Sequence, residues 1–219
     1  MAKKRIGVVL AGCGVFDGAE IHEATLTLYF LDRAGVDVVM MAPDQGQREV
    51  INHLTGEPMD EQRNVLVESA RIARGKVVDI ATVRPEELDA LILPGGFGMA
   101  KNLSDLALAG PDATVNGDLI VLLKSMHQSG KPIGAICISP AVVSKVFADR
   151  GITVTIGTDE GTAGAIRSMG NQHENTNAEQ IIVDEKNRIV STAAYMCAAN
   201  IGEAGAGIEK LVKKIMEMV

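Results

Sequence analysis

The sequence predicts a single α/β domain with a mostly parallel sheet and crossover helices. Short runs rich in Val and Ile alternate with longer segments of helical period, the pattern of buried parallel strands joined by helices. The chain has 219 residues, of which 47% are hydrophobic, so it can bury one large core without disulfides or a structural metal. No linker, repeat or low-complexity tract divides it. We therefore expect one domain over residues 1–219.

Strands and helices are predicted in alternation along the chain. The predicted strands cover residues 5–10, 36–42, 77–80, 90–93, 133–136, 153–156, 181–183 and 189–191. The predicted helices cover residues 20–34, 64–74, 119–128, 140–147 and 202–218. Apolar residues of the first helix follow the spacing of one helix face, and Gly35 ends it as a C-cap. The polar run 184–187 predicts a hairpin turn. Residues 45–60 fit neither pattern and are predicted to leave the main sheet.

Composition excludes several functional classes. The net charge is −7, aromatic residues make up 3% of the chain and tryptophan is absent, which disfavours nucleic acid as a partner. Cys13, Cys137 and Cys197 form no CxxC pair. Their odd number and wide spacing argue against a disulfide framework and against a zinc site. The sequence thus predicts a protein of a reducing compartment with no metal.

The N-terminal segment offers two interpretations of localisation. Lys3, Lys4 and Arg5 precede a short apolar run, and residues 10–13 have the form of a bacterial lipoprotein cleavage site before Cys13. The apolar stretch is only about seven residues, at or below the lower limit for export. A first buried strand explains it better, and no apolar run has membrane length. We therefore predict a cytoplasmic protein without a membrane partner.

The strand at 133–136 leads directly into a predicted helix, with Cys137 at the turn between them. Ser139 is predicted to cap this helix and Pro140 to take its first position. A thiol at a helix N-terminus faces free N–H groups and the positive end of the dipole, which lower its pKa. Cys137 is therefore predicted to be a nucleophile at an elbow like that of hydrolases. An inert, buried cysteine is the alternative that this context leaves open.

Two further strands end in unusual loops, at the sheet edge where open α/β proteins place their sites. Gly95 and Gly96 would let the backbone approach a ligand and direct amides at a developing negative charge, although an ordinary glycine-rich turn is the alternative. The loop after the first strand offers Glu20, His22 and Glu23 to a neighbouring thiol. Carboxylates at a helix start also commonly do no more than complement the dipole. Neither loop matches a dinucleotide or P-loop motif.

The combination of residues 93–96, residues 135–137 and Glu23 resembles the PfpI-like, class I amidotransferase-like superfamily. Four longer motifs within it are similar to those of the ElbB proteins, also called sigma cross-reacting or isoprenoid biosynthesis proteins. These motifs cover residues 12–15, 51–57, 94–98 and 101–104, and the likeness runs from about Lys4 through the last helix.

This resemblance implies a flavodoxin-like three-layer sandwich, usually a homodimer, with no bound cofactor. Position by position, Cys137 matches the nucleophile of the superfamily and Glu23 the acidic residue beside it. Gly96 and Ile138 match the backbone amides of the oxyanion hole, with Gly95 next to them at the substrate.

The chain departs from the family pattern in its histidines. Many relatives carry a histidine about twenty residues after the nucleophile, but residues 155–159 contain none. His127 is predicted to lie on the surface. His173 and Glu174 are adjacent, unlike the His-x-Glu pair of a glutamine amidotransferase. Glutaminase activity is therefore not expected.

A cysteine and a glutamate without histidine can still convert a small aldehyde or dicarbonyl. The predicted function is a cofactor-independent glyoxalase that turns glyoxal into glycolate, as known ElbB relatives suggest. Two alternatives use the same fold. A redox sensor would form sulfenate or sulfinate at Cys137, with Cys13 as resolving thiol. A non-catalytic binding protein of isoprenoid metabolism is suggested only by the family name.

Overall fold

The computed structural model describes residues 3–148 and 150–219. Its strands form a seven-stranded sheet and a separate two-stranded sheet. The strands are β1 (Arg5–Val9), β2 (Asp37–Ala42), β3 (Val78–Asp79), β4 (Ala90–Leu93), β5 (Ile133–Ile136), β6 (Thr153–Val154), β7 (Gln172–His173), β8 (Ile181–Asp184) and β9 (Ile189–Thr192). The order of the large sheet is β3-β2-β1-β4-β5-β9-β8, and only β8 runs antiparallel to its neighbour.

Helices fill the connections between these strands. They are α1 (Ile21–Arg33), α2 (Val65–Ile72), α3 (Phe97–Lys101), α4 (Leu106–Ala109), α5 (Gly117–Gln128), α6 (Ser139–Val146), α7 (Glu160–Ser168) and α8 (Ile201–Met218). Helices α1 and α8 pack against each other, and α5 packs against α6. This is the predicted flavodoxin-like α/β sandwich, with each predicted helix present.

The central strands carry mostly apolar residues because both faces of the sheet are covered. Strands β4, β5 and β9 are buried at every position. Gly134 in β5 is needed where α8 crosses, since a Cβ there would lie 2.9 Å from a methyl carbon of Leu211. Close packing of helix on sheet therefore brings β5, and the turn that follows it, into the centre of the molecule.

Strand β1 lies between β2 and β4, with Ile6, Val8 and Val9 fully buried. The apolar run before Cys13 is thus a central strand, as predicted. Cleavage at Cys13 would remove that strand and split the sheet.

The predicted strand 153–156 is corrected by the structure. Only Thr153–Val154 is a strand, and it pairs with Gln172–His173 outside the main sheet. The two following N–H groups bind side chains instead of a neighbouring strand: Thr155 donates to Ser191 Oγ (2.9 Å) and Ile156 to His173 Nε2 (3.1 Å).

Three helices were not predicted. Helices α3 and α4 are shorter than two turns, too short for a periodic pattern to be recognised. Helix α7 contains Gly161 and Gly164, which weaken its helical signal. Asp159 caps it by accepting a hydrogen bond from the Thr162 N–H (2.8 Å).

The segment 45–60 leaves the main sheet, as predicted, and packs on the loop that follows β1. His53 Nε2 accepts from the Phe16 N–H (3.2 Å), and Asp17 Oδ2 accepts from the Ile51 N–H (2.8 Å). A Cβ on Gly14 would lie only 2.5 Å from His53 Nε2. The segment therefore supports the β1–α1 loop.

Within residues 3–148 and 150–219, none of the helices is both long and apolar enough to cross a membrane. The same part of the chain contains no cluster of three or more His, Cys, Asp or Glu side chains arranged to hold a metal ion.

Candidate active site

Cys137 lies in a strained turn between β5 and α6. Its φ is +61°, a left-handed conformation that is rare for residues other than glycine. Its N–H still donates to the Thr192 carbonyl oxygen of β9 (2.9 Å), so the strand pairing continues up to the turn itself. The side chain is 8% exposed. A strained residue between a buried strand and a helix has the geometry of a nucleophile elbow.

Ser139 has a different role from the predicted one. Helix α6 begins at Ser139, its N-cap residue is Ile138, and no side chain caps it. Because the helix starts one residue earlier than predicted, the buried Ser139 Oγ is free to donate to the Pro94 carbonyl oxygen (2.7 Å). Ser139 thus ties the Cys137 turn to the glycine loop after β4.

The backbone N–H groups of Gly96 and Ile138 lie close enough to the Cys137 sulfur to lower the pKa of its thiol. Gly96 has a φ of +97°, and a Cβ there would lie 2.4 Å from the Glu20 nitrogen and the Gly18 oxygen. Only glycine fits this position. The structure therefore brings both predicted oxyanion-hole amides to one sulfur atom.

Glu23 is fully buried in the first turn of α1, at 0% exposure. Its Oε2 accepts from the Gly95 N–H (2.9 Å) and its Oε1 from the Tyr195 N–H (3.2 Å). Its own N–H donates to Oε2 of Glu20 (2.7 Å), the residue that caps α1. These contacts fix the carboxyl group beside Cys137, and the interaction between the two groups influences the pKa of each.

Gly95 lies between the Cys137 side chain and the Glu23 carboxyl group. A Cβ at this position would lie 2.4 Å from the Cys137 Cβ, 3.0 Å from its Sγ and 2.7 Å from Glu23 Oε2. Real Cβ atoms do not tolerate such distances. The thiol and the carboxyl group can therefore meet only because residue 95 has no side chain.

The thiol is not acidified as the sequence suggested. Burial and the nearby Glu23 raise the pKa of Cys137 well above its usual value, and the amides of Gly96 and Ile138 offset this only in part. Burial, then the neighbouring Glu20, raises the pKa of Glu23 from 4.5 to about 8. Loss of hydration raises these two pKa values more than the helix N-terminus lowers them, because both groups are enclosed. At neutral pH the pair is mostly protonated, and it becomes reactive when it loses one proton.

We expect alkylation of Cys137 by iodoacetamide to be slow at pH 6 and to rise steeply through the Glu23 pKa of about 8. The thiolate is the nucleophile, and the Cys137 thiol can pass its proton to Glu23 only after Glu23 has ionised. Rates measured by peptide mapping from about pH 6 to pH 10 test this. A Cys137 rate that is already maximal at pH 6 would contradict it.

The same buried carboxyl predicts a pH dependence of stability. The unfolded chain releases the Glu23 proton near pH 4.5, whereas the folded chain keeps it until about pH 8. Stability is therefore lost as pH rises through this window. In urea unfolding, the wild-type protein should lose roughly 3 kcal/mol relative to Glu23→Gln between pH 5 and pH 8.5. If the free energies of unfolding of the two proteins changed with pH in the same way, Glu23 would be ionised in the folded state.

A cavity of about 510 Å³ opens beside Cys137, and Tyr195 lines it. The Tyr195 hydroxyl hydrogen-bonds to His22 Nδ1 (2.8 Å). Burial, followed by Glu20 and Glu23, raises the pKa of this hydroxyl. Sequence analysis missed Tyr195. It is one of two tyrosines in the chain and follows β9 at the edge where the sites of parallel sheets lie, which is the signal that would have found it.

The remaining cysteines and histidines lie outside this cavity lining. Cys13 has Glu68 and Arg71 as its main charged neighbours, and burial raises its pKa. His127 is half-buried against Phe147, so its predicted surface position is only partly correct.

The position twenty residues after Cys137 has no room for a side chain in this fold. Gly157 lies twenty residues after Cys137, has a φ of +93°, and would place a Cβ 2.1 Å from the Cys197 sulfur. His173 does not replace the missing imidazole, because its Nε2 already accepts the Ile156 N–H.

Fold and site together define a class: open α/β proteins that present a cysteine at a nucleophile elbow, with a buried carboxyl group and two backbone amides around its sulfur. The chain belongs to the DJ-1/PfpI family, whose model matches residues 11–200.

Two similar proteins span nearly the whole chain, and a third matches less than half of it. A human protein named glutamine amidotransferase-like class 1 domain-containing protein 3, mitochondrial, is 46% identical over 224 residues, which is 98% of this chain and 83% of that protein. A deglycase of Thermococcus kodakarensis is 32% identical over 111 residues, 44% of this chain and 60% of that protein. The crystal structure of an isoprenoid biosynthesis protein with amidotransferase-like domain from Ehrlichia chaffeensis is 40% identical, with a TM-score of 0.92, and covers 98% of this chain and 99% of that one.

Proposed function

We propose that the protein is a cofactor-independent glyoxalase that converts glyoxal to glycolate at Cys137, with Glu23 as the proton shuttle. The observation that carries this proposal is the fully buried Glu23 carboxyl group, held by the Gly95 and Tyr195 N–H groups beside the Cys137 thiol. Burial raises the pKa of this carboxyl group to about 8. A general base is most useful when its pKa lies near the working pH. The partial likeness to a protein named deglycase supports chemistry on a reactive carbonyl.

The chemistry begins when Glu23 has lost its proton and its carboxylate takes the proton of the Cys137 thiol. The thiolate attacks one aldehyde carbon, a C–S bond forms, and Glu23 protonates the new alkoxide beside the amides of Gly96 and Ile138. The Glu23 carboxylate then takes the proton from the sulfur-bearing carbon and returns it to the neighbouring carbon. The hydroxyl proton on the first carbon passes to the second oxygen, and the product is a glycolyl thioester. Water cleaves its C–S bond, which gives glycolate, the Cys137 thiolate and two protons. One proton returns to Glu23 and the other is released.

Proton transfer between the carbons places negative charge on the second oxygen of the substrate. The Tyr195 hydroxyl, at the cavity wall and backed by His22, is in the right environment to donate to that oxygen. We expect Tyr195→Phe to lower kcat by about 10-fold or more, a modest share for a general acid. The backbone N–H that holds Glu23 is kept in this variant, so alkylation of Cys137 should be unchanged. Unchanged turnover would exclude the hydroxyl from the reaction.

The direct test is turnover of glyoxal, followed as glycolate by NMR, with no thiol cofactor added. Cys137→Ala defines the background rate. Steady glycolate formation above this background would support the proposal, and equal rates in the two proteins would refute it. A matched series of simple aldehydes would show whether the second carbonyl is required.

The redox-sensor alternative has little support in the described contacts. A resolving role for Cys13 needs access to Cys137, but Cys13 is not among the residues that line the cavity. Its largest charged neighbours, Glu68 and Arg71, belong to α2. Peroxide treatment followed by non-reducing peptide mapping would detect a Cys13–Cys137 disulfide if one formed.

We further propose that the chain is an ElbB-like member of the family and acts as a cytoplasmic homodimer. The 40% identity to the Ehrlichia protein supports the first part. The human relative is named as mitochondrial. Fractionation of the source cell therefore tests whether this protein is in the cytoplasm. Light scattering of the purified protein tests the dimer.

A further inference from the structure

We infer that Asn102 is a positioning residue of the candidate active site: its side-chain amide holds the β1–α1 loop where that loop supports the Gly96 N–H and the start of α1. Asn102 is not among the described residues that line the cavity. It therefore acts on the site through its neighbours. The inference deepens the proposed function, because the site it concerns is the same one.

The Asn102 side chain, at the end of α3, has a backbone partner for each of its polar atoms. Its Nδ2 donates to the carbonyl oxygens of Ala11 (3.0 Å) and Asp17 (2.8 Å). Its Oδ1 accepts from the Arg48 N–H (3.0 Å), and its own carbonyl oxygen accepts from Gln45 Nε2 (2.7 Å). The opposite amide orientation would place an oxygen against two carbonyl oxygens, so the contacts define which atom is the donor.

The two acceptors lie at the two ends of the β1–α1 loop. Ala11 comes soon after the end of β1, and Asp17 lies shortly before the start of α1. Both residues are buried. A buried carbonyl oxygen that loses its donor is destabilised, because water does not readily replace the bond. Asn102 therefore closes the base of the loop and keeps its two ends at a fixed separation.

The glycine loop after β4 packs directly on the β1–α1 loop. The Phe97 N–H donates to the Val15 carbonyl oxygen (2.8 Å), and the Gly98 N–H donates to the Gly18 carbonyl oxygen (2.8 Å). A Cβ added to Gly96 or to Gly98 would lie 2.4 Å from a backbone oxygen of the β1–α1 loop. The position of that loop thus determines where the Gly96 amide lies beside the reactive sulfur.

The same loop leads into the acidic residues of α1. The Glu20 N–H donates to the Gly95 carbonyl oxygen (2.9 Å), and the Gly95 N–H donates to Glu23 Oε2 (2.9 Å). A shift of the loop would therefore move the Glu23 carboxyl group and the Gly96 N–H relative to the Cys137 sulfur. Displacements of about 1 Å between reacting groups commonly cost ~10²-fold in rate.

Asn171 provides a matched control for a merely stabilising role. It is 5% exposed, its Nδ2 donates to the Ser144 carbonyl oxygen (2.8 Å), and its Oδ1 accepts from the Ile152 N–H (3.0 Å). These contacts join the C-terminal end of α6 to the segment before β6, away from the β1–α1 loop. Asn171→Leu and Asn102→Leu both replace an amide by an apolar group of similar size. Both should lower stability, but only Asn102→Leu should change the site.

The first test is amide hydrogen exchange followed by NMR. The Phe97 and Gly98 N–H groups report on the contact between the two loops, and the Leu91 N–H, which donates to the Pro132 carbonyl oxygen (3.1 Å), reports on the core. Relative to Leu91, exchange at Phe97 and Gly98 should rise by about 10-fold or more in Asn102→Leu, since each lost hydrogen bond changes a local opening equilibrium by ~5-fold. Asn171→Leu should leave this ratio unchanged. An unchanged ratio in Asn102→Leu would overturn the inference.

The second test is the pH profile of Cys137 alkylation by iodoacetamide. The Gly96 amide lowers the pKa of Cys137, and the Gly95 amide lowers that of Glu23. Displacing both amides removes two effects of the same sign, so the midpoint of the profile should move upward by about 0.5 pH unit or more in Asn102→Leu. The midpoint does not depend on how accessible the thiol is, and Asn171→Leu should keep the wild-type value. A midpoint that does not move upward would contradict a positioning role.

The third test is turnover of glyoxal. Asn102→Leu should lower kcat by about 10-fold or more with little change in KM, because reacting groups are misplaced while the cavity lining is kept. If the wild-type protein turns over no glyoxal while exchange and the alkylation midpoint change as expected, the glyoxalase proposal is wrong and the role of Asn102 stands. Turnover that is normal in Asn102→Leu would overturn that role.

Asn102→Ser keeps the inference testable if Asn102→Leu does not fold. The smaller side chain leaves room for a water molecule, which can donate to the Ala11 and Asp17 carbonyl oxygens in place of the amide. We expect changes of the same sign as in Asn102→Leu, but smaller, in exchange at Gly98 and in the alkylation midpoint. Wild-type values of both in Asn102→Ser, with Asn171→Ser as its control, would overturn the inference.

Discussion

Glu23→Gln is expected to lower glyoxal turnover by about 10²-fold or more, the usual share of a general acid–base group. The variant keeps the size of the side chain but cannot take a proton from carbon. Its amide also cannot accept from both the Gly95 and Tyr195 N–H groups that now bind the carboxyl oxygens. The measurement is kcat for glyoxal, with the rate of Cys137 alkylation as a check that the thiol remains accessible.

The neighbouring acidic residue provides the control for this result. Glu20 also lies at the start of α1, but its carboxylate accepts the Glu23 N–H and caps the helix. Glu20→Gln keeps an acceptor for that bond and should cost far less activity. If Glu20→Gln or His22→Ala abolished turnover while Glu23→Gln retained it, the base would be misassigned.

Gly95→Ala is expected to remove activity although no reactive group is altered. The added methyl carbon would overlap the Cys137 side chain and Glu23 Oε2, so the thiol and carboxyl group must move apart. Misplacement of reacting groups by about 1 Å commonly costs ~10²-fold in rate. Forced packing in a rigid turn should also destabilise the fold by about 1–3 kcal/mol. Glyoxal turnover and urea unfolding measure the two effects.

Gly46→Ala is the matched control, because a Cβ at Gly46 would meet no atom within 4 Å. This variant should keep wild-type stability and turnover. Normal turnover in Gly95→Ala would mean that the close approach of Cys137 and Glu23 is not needed for the reaction.

Most of the fold and much of the site can be predicted from this sequence. The buried strands are recognisable because both faces of the sheet are covered, so that their short runs are mostly apolar. Cys137, Gly95 and Gly96 could be selected because they directly follow such strands, and the carboxyl ends of parallel strands meet at one edge. Glu23 required the family resemblance, since a carboxylate at a helix start is otherwise ordinary.

What could not be predicted depends on the surroundings of each group in three dimensions. A cysteine at a helix start suggests a low pKa, but the enclosure that raises the pKa of Cys137 comes from distant parts of the chain. Ser139 follows the pattern of an N-cap, yet its partner is the Pro94 oxygen 45 residues away. Tyr195 carries no local motif. Its importance follows only from its contacts with Glu23 and His22.

The closed position at Gly157 has an evolutionary consequence. A histidine introduced there alone would meet the Cys197 sulfur and would also have to adopt a left-handed backbone. Acquiring the missing imidazole therefore needs a smaller residue at 197 and a relaxed backbone at 157, and each change gives no catalytic advantage until the other is present. The effect of each substitution therefore depends on whether the other is already present, which is epistasis. It gives a physical reason why a lineage with this packing would retain a cysteine and a glutamate as its only pair.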